Sequence, residues 1–151
     1  MLILSAEEKD LKDILELQYL AYQSEAIICD NQNIPPLTQT LDEVYAEFKK
    51  GTFLKAIDEK GNIIASVRAI SENGTLLIGK LVVHPDLQGQ GIGTELLSEI
   101  EQVCPHIRYE LFTSMLSERN IKLYERVGYV RFKEEDMANG LKLIYLAKEQ
   151  M

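Results

Sequence analysis

Apolar and polar positions change period several times along the 151-residue chain, and each change marks an element. Leu2-Ile3-Leu4 reads as a short strand. Leu11, Ile14, Leu15, Gln18, Tyr19 and Tyr22 then recur at helical spacing, leaving Glu7, Glu8, Lys12, Asp13 and Glu16 on a wet face. Ser5 and Glu8 have capping-box spacing at the start of this helix. Residues 24–40 hold Asn31-Gln32-Asn33 and the pair Pro35-Pro36, which predict a loop. Thr40 caps a second helix with Leu41, Val44, Tyr45 and Phe48 on its apolar face, ending near Gly51.

From Thr52 the period falls to two. Residues 52–58, 63–70 and 75–84 form an antiparallel meander, with the Asn73-Gly74 pair as a hairpin signal. The run Leu76 to Val83 is apolar at nearly every position, which predicts a central strand covered on both faces. Lys80 is its odd member, read as snorkelling to an edge or pairing with a carboxylate, with no catalytic role. Ile92, Leu96, Leu97, Ile100 and Val103 make a helical stripe that Pro105 ends. Residues 107–113 read as a strand, 117–127 as a helix ended by Gly128, and 130–135 with 141–147 as a last hairpin turning at Met137-Ala138-Asn139-Gly140. The strand-helix-strand order implies one parallel pairing. The expected fold is a single α/β (α+β mixed) domain over residues 1–151. Its mixed antiparallel and parallel sheet has about six to seven strands, flanked by about four helices. A ligand is expected where strands 81–83 and 111–113 diverge, and the exposed edge of the last hairpin offers pairing across a homodimer.

Composition narrows the classes. A hydrophobic content of 46% suffices for one core, and no apolar run approaches the roughly 20 residues of a membrane span. The start of the chain lacks a basic, signal-like segment, so a cytoplasmic protein is expected. Cys29 and Cys104 read as reduced packing residues. The balance of 16 basic against 24 acidic residues, a net charge of −8, argues against a nucleic-acid partner and favours a cationic or neutral one. His84 and His106 stand apart, so no metal centre is expected; His84 reads as structural, with a base role as the lesser alternative.

The chemistry concentrates at Leu81-Val82-Val83-His84-Pro85-Asp86-Leu87-Gln88-Gly89-Gln90-Gly91-Ile92-Gly93-Thr94, a strand end, a glycine turn and a helix start. Alternating glycines let successive backbone N–H groups converge on one anion, with the positive helix end behind them. Three glycines at a helix mouth cost roughly 1 kcal/mol each if merely structural. Neither the Walker spacing nor the dinucleotide fingerprint fits. What fits is Gln88-x-x-Gly91-x-Gly93 after Val-x-His-Pro, which resembles motif A of the GNAT superfamily of acetyl-CoA-dependent N-acetyltransferases. Ser117 to Tyr129 resembles that family's motif B.

The resemblance implies acetyl-CoA as cosubstrate. It implies that backbone groups of Leu81, Val82 and Val83 pair with the pantetheine arm and donate to the thioester oxygen, and that Gln88, Gly89, Gln90, Gly91, Ile92, Gly93 and Thr94 hold the pyrophosphate. It further implies that Asn120 contacts the cofactor and that Tyr124 is the acid for the departing thiolate. A phenol near pKa 10 and a thiol near 8.5 are within about two units of each other, which suits that transfer. A lysine-like amine costs roughly 4.6 kcal/mol to deprotonate at pH 7 and an α-amine about 1, so the acceptor decides how much help is needed. Glu110, Glu72, Glu25 and Asp30 are the candidate bases, directly or through water. The expected activity is acetyl transfer to the primary amine of a small molecule in a ternary complex; a protein or peptide acceptor and a non-catalytic CoA-binding sensor are the alternatives. Tyr19 and Tyr22 read as acceptor-pocket residues or as core.

Overall fold

The computed structural model describes residues 1–137 and 140–150. The strands β1 (Leu2–Ser5), β2 (Thr52–Ile57), β3 (Ile63–Glu72), β4 (Thr75–Val83), β5 (Arg108–Ser114), β6 (Val130–Asp136) and β7 (Lys142–Glu149) form one seven-stranded sheet. Its order is β1-β2-β3-β4-β5-β7-β6. β1 to β4 are an antiparallel meander, β4 and β5 pair in parallel, and β7 lies antiparallel between β5 and β6. Asn73 and Gly74 take φ of 51° and 83°, the left-handed pair that a two-residue hairpin between Glu72 and Thr75 requires. Residues 138 and 139 of the expected β6–β7 turn lie outside the described residues.

The helices are α1 (Leu11–Ala21), α2 (Gln23–Cys29), α3 (Pro35–Thr38), α4 (Leu41–Lys50), α5 (Ile92–Val103) and α6 (Glu118–Arg126). Four of them are the expected ones. The stretch 24–40, expected as a loop, instead winds into α2 and the single turn α3. Pro35 and Pro36 do not break α3 because they occupy its first turn, where a missing N–H is no loss. Asp30 ends α2 in a left-handed cap at φ 49°. Thr40 caps α4 as expected, its Oγ1 accepting from the Glu43 N–H at 3.2 Å. Ser5, by contrast, stays in β1; Asp10 takes the capping role, its Oδ2 accepting from the Glu7 N–H at 2.8 Å and from Lys55 Nζ at 2.7 Å.

Two apolar layers clamp the sheet. α5 and α6 bury Leu96, Leu97, Ile100 and Ile121 against Leu54, Val67, Ile78 and Leu111. On the opposite face Leu11, Ile14, Leu15 and Val44 of α1 and α4 close over Phe53.

Two irregularities matter for function, and both lie on β4. Arg68 pairs with Gly79 but Ser66 pairs with Val82, so Lys80 and Leu81 together oppose Val67 in a β-bulge. Lys80 has φ 50° there, a left-handed conformation that costs a non-glycine residue about 1–2 kcal/mol. The bulge shifts the alternation by one: Leu76 and Ile78 belong to the α5 side before it, while Leu81 and Val83 lie against Gly93 of α5 after it. Second, the β4–β5 ladder joins only Thr75, Leu76 and Leu77 to Arg108, Tyr109 and Glu110. Beyond Leu77 the strands part, so β4 is half-buried at alternate positions rather than covered on both faces.

Candidate active site

The parting of β4 and β5 opens cavities on either side of the bulge. The larger, of about 970 Å³, is lined by Leu81, Val82 and Val83, by the turn residues Gln88, Gly89 and Gly91, and by Ile92, Gly93 and Thr94 at the head of α5. Asn120 on α6 and Tyr22 and Glu25 at the α1–α2 junction also line it. Of the residues the motifs single out, Gln90 and Tyr124 stand outside this wall.

The local chemistry suits a phosphorylated ligand. Gly89 and Gly91 sit at φ 80° and 84°, where a side chain is strained whatever the space. A Cβ on Gly93 would meet Leu123 at 3.4 Å, so that glycine lets α5 and α6 approach. The first N–H groups of α5 have no intrahelical acceptor and point out of the helix start. Around them stand Arg119, Lys122 and Arg126, cations of α6 that motif reading did not single out. Their spacing places them on one helical face, which is the signal that was available. Arg119 hydrogen-bonds the Gln88 side-chain oxygen, tying the turn to α6. Together with the open edge of β4 beyond Leu77, these groups fit a ligand with a phosphorylated head and an amide-bearing arm.

Tyr124 is buried, 6% exposed, with its ring 6.2 Å from that of Tyr129. Burial, with the Tyr22 hydroxyl and the Glu25 carboxylate nearby, holds its phenol above the ordinary tyrosine value, so it stays protonated through the neutral range. Burial likewise raises Tyr22. Asn120 Nδ2 lies 3.3 Å from both Glu25 Oε1 and Thr113 Oγ1, so it spans the gap from α2 to β5.

The candidate bases separate. Glu25 lines the large cavity, and Glu110 lines a second one while holding Arg108 at 2.8 Å. Glu72 and Asp30 are exposed at a hairpin turn and a helix end, away from both. His84 Nδ1 accepts from the Asp86 N–H at 3.1 Å and so caps the turn that follows β4.

The second cavity, of about 440 Å³, lies where β4 and β5 begin to part. Arg68, Gly79, Lys80, Glu110, Phe112 and Tyr145 line it together with Glu47 and Lys50 of α4 and Phe53 of β2. Arg68, 5% exposed, anchors this wall. Its Nη2 donates to Gln18 Oε1 at 2.8 Å and Gln39 Oε1 at 2.7 Å, its Nε faces Glu47 at 3.2 Å, and its guanidinium stacks 5.0 Å from the Phe53 ring centre. The two cavities adjoin along β4: Lys80 lines one and Leu81 the other.

Residues 21–150 match the acetyltransferase (GNAT) domain family. The chain belongs to the GNAT acetyltransferase family. This GNAT chain is 29% identical to the S-(2-succino)cysteine N-acetyltransferase of Bacillus subtilis over 95% of its own length and 93% of that protein's. Its fold is similar to that of the ribosomal-protein-S18-alanine N-acetyltransferase of Escherichia coli, with a TM-score of 0.80, 17% identity, and 98% and 92% of the two chains covered. An aminoglycoside 6'-N-acetyltransferase complexed with coenzyme A matches with a TM-score of 0.77 and 19% identity, over 99% of this chain and 97% of that one. This GNAT chain is thus an N-acetyltransferase with an α/β fold. Among its described residues no helix is long and apolar enough to cross a membrane, and no group of three His, Cys, Asp or Glu is placed to hold a metal.

Proposed function

We propose that this acetyltransferase moves an acetyl group from acetyl-CoA to the primary amine of a small molecule, by direct attack with both substrates bound. The observation that carries the reading is the split of β4 from β5 after Leu77, with a phosphate-suited cleft on one side of the Lys80 bulge and a smaller cavity on the other. Bound acetyl-CoA supplies an acetyl group activated as a thioester. The N–H groups of residues 91–94 and the cations Arg119, Lys122 and Arg126 hold its phosphates, and the free edge of Leu81 to Val83 holds its arm. Backbone donors on that edge, fixed before reaction, favour charge developing on the acyl oxygen.

The acceptor occupies the smaller cavity, whose volume is that of a small-molecule site. Its amine loses a proton to Glu110, Glu25 or water as the C–N bond forms. The Tyr124 hydroxyl gives a proton to the sulfur as the C–S bond breaks, so protons and electrons balance. A thermal shift with acetyl-CoA, CoA, ATP and NAD, beside thiol release on a panel of amines, tests the reading. Shifts with the two CoA ligands alone, and thiol release with a small amine, are expected; no shift with CoA would sink it.

A further inference from the structure

We infer that the acceptor amine also carries a carboxylate, and that Lys80 receives this carboxylate in the cavity between α4, β4 and β5. The inference rests on the proposed roles of the two cavities as donor and acceptor sides. Five charged side chains line the smaller cavity: Glu47, Lys50, Arg68, Lys80 and Glu110. Both carboxylates are engaged, Glu47 by Arg68 at 3.2 Å and Glu110 by Arg108 at 2.8 Å. Lys80 and Lys50 have no carboxylate partner among the described residues. The cavity therefore offers cations and no free anion, despite the chain's net charge of −8.

Lys80 also carries costs that a solvated surface lysine does not. It is half-buried, it keeps a left-handed backbone at the bulge, and it stands near the Arg68 guanidinium. Burial, and then Arg68, pushes its ammonium below the ordinary lysine value, and the charge of Glu47 offsets only part of this. An entering carboxylate offsets both effects by stabilising the charged ammonium. Its location next to Leu81, where the cofactor cleft begins, leaves the amine of an amino acid one carbon from the anchored carboxylate and beside the donor side. Phe53, Phe112 and Tyr145 offer apolar surface for the remaining side chain. A polyamine would meet two lysines and no unengaged carboxylate.

The test compares matched pairs differing only in the carboxylate: L-phenylalanine with phenethylamine, and L-leucine with isoamylamine. Thiol release is followed in the wild type, Lys80→Met and Lys80→Arg, and acetyl-CoA affinity is measured by calorimetry on each. The acids should have kcat/KM about 100-fold above their amines, since a site built for a polar group rejects the analogue lacking it. Lys80→Met should raise KM for the acids about 10-fold or more and collapse that preference, with acetyl-CoA affinity within about twofold, and Lys80→Arg should recover part of it. Equal use of acid and amine, a preference that survives Lys80→Met, or bound acetyl-CoA with no turnover of either acid would overturn the inference. Loss of acetyl-CoA binding in the wild type would instead overturn the reading of the larger cleft.

Discussion

The two cavities beside β4 are built by different means. The anion-suited floor of the larger is backbone, an open strand edge, two left-handed glycines and a helix start within residues 81–94, with side chains of α1, α2 and α6 around it. The smaller is made of side chains from six separate elements, α4, β2, β3, β4, β5 and β7, and its wall depends on Gln18 and Gln39 behind Arg68. A site of amides and glycines tolerates change in most side chains but not in backbone shape. A site of side chains keeps its shape while its specificity is rewritten residue by residue.

The largest expected effect breaks the first of these. Gly91→Glu puts a strained residue and a negative charge at the phosphate end, and calorimetry should show acetyl-CoA affinity falling by about 10³-fold or more. Gly91→Ala, which adds strain without charge, should fall between this and wild type. Arg68→Met attacks the second cavity. It leaves Glu47 and the oxygens of Gln18 and Gln39 without their cation, so urea unfolding should show a loss of about 3 kcal/mol while acetyl-CoA affinity holds. A loss of both together would mean that the two cavities are one structural unit. Tyr124→Phe removes the proposed acid, which stands behind the wall of the larger cavity, and turnover should fall about 100-fold with cofactor affinity kept. Lys122→Gln or Arg126→Gln should weaken acetyl-CoA binding only several-fold, with the difference shrinking as salt is added.

The smallest effect lies outside both cavities and serves as a reference. Burial raises the Asp10 carboxyl, but hydrogen bonds from Lys55 and the Glu7 N–H together with nearby positive charge outweigh it and leave its pKa below the ordinary value. Unfolding therefore takes up a proton at acid pH. The pair's stabilisation should be complete above the unfolded carboxylate pKa of about 3.9 and fade as pH falls through the lower folded value. Urea midpoints of wild type and Asp10→Asn should converge over that range, and a difference that persists below it would refute the assignment.

The same contrast explains what was legible in the sequence. The glycine turn ahead of α5 could be read because its signal is local: glycine spacing and a strand-to-helix transition need no knowledge of distant neighbours. All seven strands were legible for a similar reason, since turn residues such as Asn73-Gly74 punctuate them. The Arg68 wall was not legible, because nothing local pairs residue 68 with residues 18, 39 and 47. Lys80 appeared as an anomaly in an apolar run, yet its meaning depends on a bulge that sequence periodicity blurs: a one-residue shift fills both parities with apolar side chains and imitates a strand covered on both faces. The turn at 35–38 was hidden by a rule applied one turn too far, since proline forbids the middle of a helix and not its start, and the proline-free helix at 23–29 was swept into the same expected loop.

The place of β7 has a consequence for how the chain acquires its form. β1 to β4 pair between segments at most a few turns apart, apart from β1 itself, and are all made by residue 83. β7 is synthesised after both of its neighbours, yet it lies between them. Until it is in place, β5 has only its three-residue ladder with β4, and β6 has no strand partner. On a ribosome the meander can therefore close early, whereas the C-terminal leaf waits for residues 142–149. Pulse-labelled hydrogen exchange during refolding should protect β2 to β4 before β5 to β7, and simultaneous protection would contradict this order.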